Sequence, residues 1–194
     1  MTTKEKGLLT MKETKPIRDM ETVKELLDVY ERGSKNFLII AYALNTGLRV
    51  SDILKTKVGT AKRGYWTGHE QKTGKYKDMQ FSNDLKILVI EFAEANGLTD
   101  DDWLFFNDRN PEKHISRQAV DKIIRYAGEM VGVEPLSAHS LRKTFGYMAY
   151  SSGDYDISEL QFIFNHSAPS VTLSYIGVSQ EIINEKNKNF SIGI

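Results

Sequence analysis

The sequence predicts a mainly α-helical domain with one small antiparallel β-sheet. Three observations predict it. Apolar residues recur at helical spacing in window after window; strand-like segments occur only between Lys57 and Ser82; and no repeat, low-complexity segment or Pro/Gly-rich linker divides the chain. Its 194 residues suffice for one substantial domain with a real core.

The elements follow in order. Residues 20–32 carry Val23, Leu26, Leu27 and Tyr30 on one helical face. Residues 35–47 carry Phe37-Leu38-Ile39-Ile40-Ala41-Tyr42-Ala43-Leu44, apolar all round, so this second helix should be buried. Gly47 suits its left-handed end, and a short helix should run from Val50 to about Lys55. Tyr65–Glu70 and Lys77–Phe81, separated by Thr73-Gly74, read as a hairpin. Ser82 or Asn83 can cap a helix with Leu85, Leu88, Val89, Phe92 and Ala93 on its apolar face, and Gly97 ends it. Another helix should run from about Ser116 to Ala127 or beyond. After Pro135 come helices over 137–151, 156–165 and 169–175, then a tail with Ile182, Ile183 and Phe190 among polar residues.

Cysteine is absent, which excludes disulfides and thiolate metal sites, and no apolar run approaches the roughly 20 residues of a membrane span. The charged start Met1-Thr2-Thr3-Lys4-Glu5-Lys6 precedes no apolar core of the signal-peptide kind, so a cytoplasmic protein is expected. The 26 basic residues balance 26 acidic ones, so overall charge does not suggest a polyanion as partner. Distribution does: Lys55, Lys57, Lys62, Arg63, Lys72, Lys75 and Lys77 stand against the single acid Glu70, a local surface suited to phosphates. Glu91, Glu94, Asp100, Asp101 and Asp102 reverse the balance, as expected of a face turned away. The plainer reading of both stretches is solvated surface.

Several polar residues carry candidate chemistry. His139 and Arg142, three apart in a predicted helix, emerge on one face and can meet a common ligand. Arg49 follows an apolar helix and a glycine, a rigid support for an oriented guanidinium, although a terminal arginine also neutralises a helix dipole. Asp52 stands where it can orient Arg49 or an imidazole, or simply cap the short helix. Lys72, at the hairpin turn, can give a proton to a departing alkoxide if it reaches one. Tyr175, nine residues after His166, is one of nine tyrosines, and such a residue is usually core. A phenol near cations nevertheless forms phenolate more cheaply, and the same cations stabilise a pentacoordinate phosphorane. As a set, these groups suit attack on a phosphodiester.

Thr46-Gly47-Leu48-Arg49, Lys72 in its hairpin, His139-Ser140-Leu141-Arg142, Asn165-His166 and Tyr175 resemble, in order and spacing, the catalytic domain of the tyrosine recombinases, the phage integrase and Xer-type family. The resemblance covers roughly residues 15–180. It implies a DNA breaking-rejoining fold over 16–180, an N-terminal arm over 1–15, and a tail over 181–194 that docks on a neighbouring subunit. It further implies that Tyr175 cuts DNA to a 3′-phosphotyrosyl link and a free 5′-hydroxyl, with Arg49 and Arg142 on the non-bridging oxygens. His139 would accept a proton or hold the phosphate, His166 would hydrogen-bond it, and Lys72 would protonate the leaving oxygen. No cofactor and no metal are expected. The partners it implies are double-stranded DNA recombination sites, three further copies of the chain in a tetramer, and DNA-bending accessory proteins, on the nucleoid rather than at a membrane. Lys143, beside Arg142, joins the lysines and Arg63 above as a DNA contact.

Two departures accompany the resemblance. Asn165 stands where the family usually has glycine, and a separate N-terminal helical domain typical of the family has no counterpart in the fifteen or so residues before the match. A compact stand-alone recombinase and a catalytic piece of a longer protein both fit. Rival readings are a non-cleaving DNA binder on the same fold, a type IB topoisomerase-like enzyme, and a metallohydrolase built on His139 and His166. The last lacks a His-x-x-x-His or carboxylate cluster nearby.

Overall fold

Helix α2, Lys35–Thr46, is the axis of the main core in the computed structural model, which describes residues 14–69, 74, 76–188 and 190–192. Ser34 caps it by accepting from the Phe37 amide, and Gly47 ends it in the left-handed region at φ 56°. Phe37 to Ala43 are buried without interruption, as a helix surrounded by others requires. Around it pack α1 (Met20–Asp28), α5 (Asn83–Ala95), α6 (Arg117–Met130) and α7 (Ala138–Ser152). Tyr42, fully buried, meets Phe81 and Phe105 edge-on at 5.3 and 5.4 Å between ring centroids.

Local capping sets most boundaries. Asp19, Ser82 and Ser116 accept from the amides of Thr22, Leu85 and Ala119 at the starts of α1, α5 and α6. Capping boxes open α7, through Ser137 and Ser140, and α8 (Ile157–Phe164), through Asp156 and Glu159. Pro169 opens α9, Pro169–Tyr175. Helix α1 stops four residues short of the expected 32, because the chain turns through a left-handed Gly33 to reach the Ser34 cap.

Strands β1 (Tyr65–His69) and β2 (Tyr76–Gln80) pair antiparallel, with Tyr65 opposite Gln80 and His69 opposite Tyr76. Of the expected hairpin turn only Gly74 is described; Lys72 and Lys75 lie outside the described residues, as does most of the expected N-terminal arm.

Three elements depart from expectation. After α3 (Val50–Ile53) a further helix, α4 (Val58–Lys62), fills what reads as strand-like sequence. Its first amides are satisfied from far along the chain, Val58 by the Asp102 carbonyl at 3.1 Å and Gly59 by that of Asp100 at 2.9 Å. A side chain at Gly59 would collide with Asp100. A second two-stranded sheet, β3 (Phe106–Asn107) with β4 (Asn110–His114), has Pro111 and charged residues on an exposed strand that carries little strand signal. The expected tail forms α10, Gln180–Lys188.

A smaller apolar cluster holds the C-terminal part. Leu160, Phe164 and Ile176 are completely buried there, with Phe145, Tyr147 and Tyr175 around them. Gly146 on α7 makes the notch: a Cβ at that position would lie 2.6 Å from Phe164 and 2.7 Å from Ile176. Close approach of α7 to the α8–α9 pair therefore requires glycine there.

Candidate active site

The site forms where α2, α7 and the α8–α9 corner meet. Arg49 emerges just after Gly47, as the residue preceding α3. Arg142, in the second turn of α7, is 3% exposed. Its Nη1 donates to the Gly47 carbonyl and its Nη2 to the Phe164 carbonyl at 3.2 Å, while the guanidinium lies 4.6 Å from the centre of the Phe164 ring. Arg49 Nη2 donates to the same Phe164 carbonyl at 3.4 Å. That carbonyl ends α8 and has no partner within its own helix, so two guanidiniums at the negative pole of α8 satisfy it. Lys77 reaches the preceding carbonyl, of Ile163, at 2.7 Å.

Tyr175 stands beside this junction. Its ring lies 5.2 Å from Phe164, 5.0 Å from His166 and 5.7 Å from His139, the last nearly perpendicular at 86°. Lys143 Nζ is 5.5 Å from its centroid. His166 is oriented through Nδ1, 3.0 Å from the hydroxyl of the fully buried Thr172. Asn165, where a glycine is usual, takes φ 55° and ψ 50° and ends α8. Asparagine tolerates the left-handed region better than other side-chain-bearing residues, so the turn that delivers His166 is made without glycine.

Burial pushes the Tyr175 phenol above its usual 10.0, against the opposing pull of the Arg142 and Arg49 charges. The folded chain then keeps a proton that the unfolded chain releases near pH 10, so this contribution to stability is complete below about pH 10 and is lost as pH rises further. The urea midpoint should therefore fall as pH rises above about 10, and Tyr175→Phe should flatten part of that fall. Tyr42 and Tyr30, whose phenols burial also raises, contribute to the rest. An identical pH slope in the variant would contradict the burial argument.

Arg49, His139 and Arg142 line one cleft of about 410 Å3, with Ser51 and Ser137. Arg117 and Asp121 of α6, 3.8 Å apart, also line it. Sequence reasoning passes over both, since an arginine following a serine cap carries no mark beyond an ordinary solvated helix start. His166 borders a second cleft, of about 660 Å3, between β2 and α8. Asp52 is completely buried; Ser51 donates to its carboxylate at 3.5 Å and its backbone carbonyl accepts from Trp66 at 3.1 Å.

The expected basic surface is divided in space. Lys57 and Lys62 turn toward the acidic loop that was expected on the far side: Lys57 donates to the Asp101 carbonyl at 2.8 Å and sits 3.4 Å over the Trp103 ring, and Lys62 lies 3.8 Å from Asp100. The capping of α4 by that loop brings the two charge runs together. Lys143 is 8% exposed and donates to the Thr14 carbonyl at 2.7 Å, an internal position rather than an open one. Lys55 and Arg63 are exposed, Arg63 donating to the Tyr65 hydroxyl.

Residues 18–181 match the family model described as the phage integrase family. Over 177 residues the chain is 33% identical to a probable integrase/recombinase, YoeC, of Bacillus subtilis (strain 168), covering 90% of this chain and 96% of that protein. Among solved structures it resembles the XerA recombinase, with a TM-score of 0.73 at 18% identity over 92% of this chain and 64% of that one. It also resembles the XerH site-specific recombinase bound to palindromic difH substrate in a post-cleavage complex. There the TM-score is 0.67 at 20% identity over 90% of this chain and 53% of that one.

Proposed function

The chain belongs to the phage integrase family and carries a tyrosine recombinase catalytic domain, and on that premise we propose that it cuts and rejoins DNA at specific sites through a covalent link to Tyr175. One observation carries the reading: Arg49 and Arg142 converge on the Phe164 carbonyl, with Tyr175 packed against the same residue and both imidazoles. Two fixed guanidiniums next to a phenol are suited to a phosphodiester whose charge grows as the phenol attacks.

In the proposed step the Tyr175 oxygen attacks phosphorus as its proton passes to the His139 imidazole. Arg49 and Arg142 neutralise the non-bridging oxygens, and His166 donates a hydrogen bond to one of them. The bond from phosphorus to the 5′ oxygen breaks as Lys72 gives that oxygen a proton, leaving a 3′-phosphotyrosyl strand and a free 5′-hydroxyl. Attack by the 5′-hydroxyl of another strand releases Tyr175 and joins new partners. The phosphodiester energy stays in the phosphotyrosine, so the cycle draws on no nucleotide.

The same reading assigns Asp52 a supporting role and Lys55, Arg63, Lys75 and Lys77 to DNA contact, with Lys57, Lys62 and Lys143 held by partners within the fold. Among the described residues of that set, Lys55 and Arg63 are the most open to a phosphate. Paired double-stranded DNA sites would be bound by four copies on the nucleoid, assisted by DNA-bending proteins, with α10, through Ile182 and Ile183, and Phe190 docking on a neighbour. Phe190, 70% exposed, suits that role.

The test is covalent capture. Nicked duplexes of random sequence, from which the short cut fragment diffuses away, are incubated with the protein in excess EDTA and then denatured. A denaturant-resistant protein–DNA adduct is expected. Binding without any adduct across the pool would favour a non-cleaving DNA binder and overturn the proposal.

A further inference from the structure

We propose that the segment Thr14–Arg18 is a strap that holds the nucleophile-bearing helix in place, with Arg18 as a positioning residue for Tyr175. The inference rests on the recombinase reading for its functional half only.

Helix α9 has seven residues, too few to be stable alone, so its placement depends on what grips its two ends. Its C-terminus closes in a Schellman turn. Gly177, at φ 76°, donates to the Ser174 carbonyl at 3.1 Å, and Val178 donates to that of Leu173 at 2.9 Å. The Gly177 carbonyl, two residues past Tyr175, accepts from Arg18 Nη2 at 2.6 Å. A Cβ on Gly177 would lie 3.1 Å from that nitrogen and 3.2 Å from Pro16 Cγ, so the strap lies directly against the turn.

The strap is itself anchored to α7. Ile17 is 5% exposed in the main core, and its amide donates to the hydroxyl of the buried Thr144 at 2.9 Å. The Thr14 carbonyl takes the Lys143 ammonium, the same group that lies 5.5 Å from the Tyr175 ring. The Arg18 guanidinium also rests 5.4 Å from the centre of the Tyr147 ring. Residues 14–18 therefore tie α7, which bears His139 and Arg142, to the turn that ends the Tyr175 helix. Ile176 in the Gly146 notch fixes how deep α9 sits, and the strap fixes where its last turn points.

Arg18→Ala tests this in two independent arms. In the first, without DNA, amide hydrogen exchange over residues 173–178 should accelerate at least about tenfold while α8 exchanges as in the wild type. In the second, single-turnover adduct formation, on duplexes captured by the wild-type protein from the random pool, should slow by about 10- to 100-fold, the scale of a small misplacement of a reacting group. The dissociation constant for the same duplex should stay within about twofold, and Arg18→Lys should recover much of the rate. Should Arg18→Ala not fold, Arg18→Gln, too short to span to Gly177, carries the same expectation. Unchanged exchange with an unchanged rate overturns the proposal. So does a loss of rate matched by a loss of affinity, which would make Arg18 a DNA contact. If the wild type forms no adduct, the recombinase reading falls while the exchange arm still decides whether the strap holds α9.

Discussion

Tyr175→Phe is expected to abolish covalent capture of DNA, lowering adduct formation by on the order of 10⁶-fold, the scale for removing a covalent nucleophile. Phenylalanine keeps the ring that packs on Phe164, His166 and His139, so the fold and the clefts survive the change. Only the buried hydroxyl is lost, and with it at most about 1.5 kcal/mol of hydrogen bonding. DNA affinity should stay within about twofold of the wild type and the melting temperature should shift by no more than a few degrees. Undiminished adduct in this variant, measured by denaturing electrophoresis, would move the nucleophile elsewhere.

Arg142→Ala should combine the largest loss of stability with a large loss of rate. The side chain is buried and bonds the carbonyls of both Gly47, just past α2, and Phe164, at the end of α8. Its removal leaves a cavity, takes this donor from the Gly47 carbonyl and leaves the Phe164 carbonyl to Arg49 alone, at a cost of about 2–5 kcal/mol read from the urea midpoint. Arg142→Lys separates structure from chemistry. A single ammonium cannot reproduce the planar fork that spans two carbonyls, yet it keeps the charge. The lysine variant should fold with reduced stability and form adduct about 10²–10³-fold more slowly, as when one preorganised donor to a developing oxyanion is removed. Wild-type rates in Arg142→Lys would show that the fork geometry is dispensable.

Arg49, His139, Arg142, His166 and Tyr175 are legible in the sequence as a group because each lies on or directly beside a helix with a locally encoded end. Gly47 releases Arg49, Ser137 caps the helix bearing His139 and Arg142, Asn165 makes the turn before His166, and Pro169 starts the helix of Tyr175. What joins them is not legible. The Phe164 carbonyl that both arginines share is a backbone atom and leaves no trace in residue type. Helix α4 escapes for a related reason, since the carbonyls that receive its first amides come from residues 100 and 102. The same contact explains why charge runs read along the chain mislead, with Lys57 and Lys62 spent on the acidic loop. Strand β4, with Asn110-Pro111-Glu112-Lys113-His114, has almost no strand propensity and forms only because β3 lies beside it. Arg18 is invisible for a third reason: its partner is 159 residues away in sequence.

The central claim is that the phenol of Tyr175 becomes bonded to phosphorus at a 3′ end. Nuclease and protease digestion of the trapped adduct, followed by fragmentation mass spectrometry, locates the nucleotide remnant directly. The account predicts a single modified peptide with the phosphate on Tyr175 and the 5′-hydroxyl on the released strand. A remnant on any other residue, or a linkage through a 5′ phosphate, would contradict it.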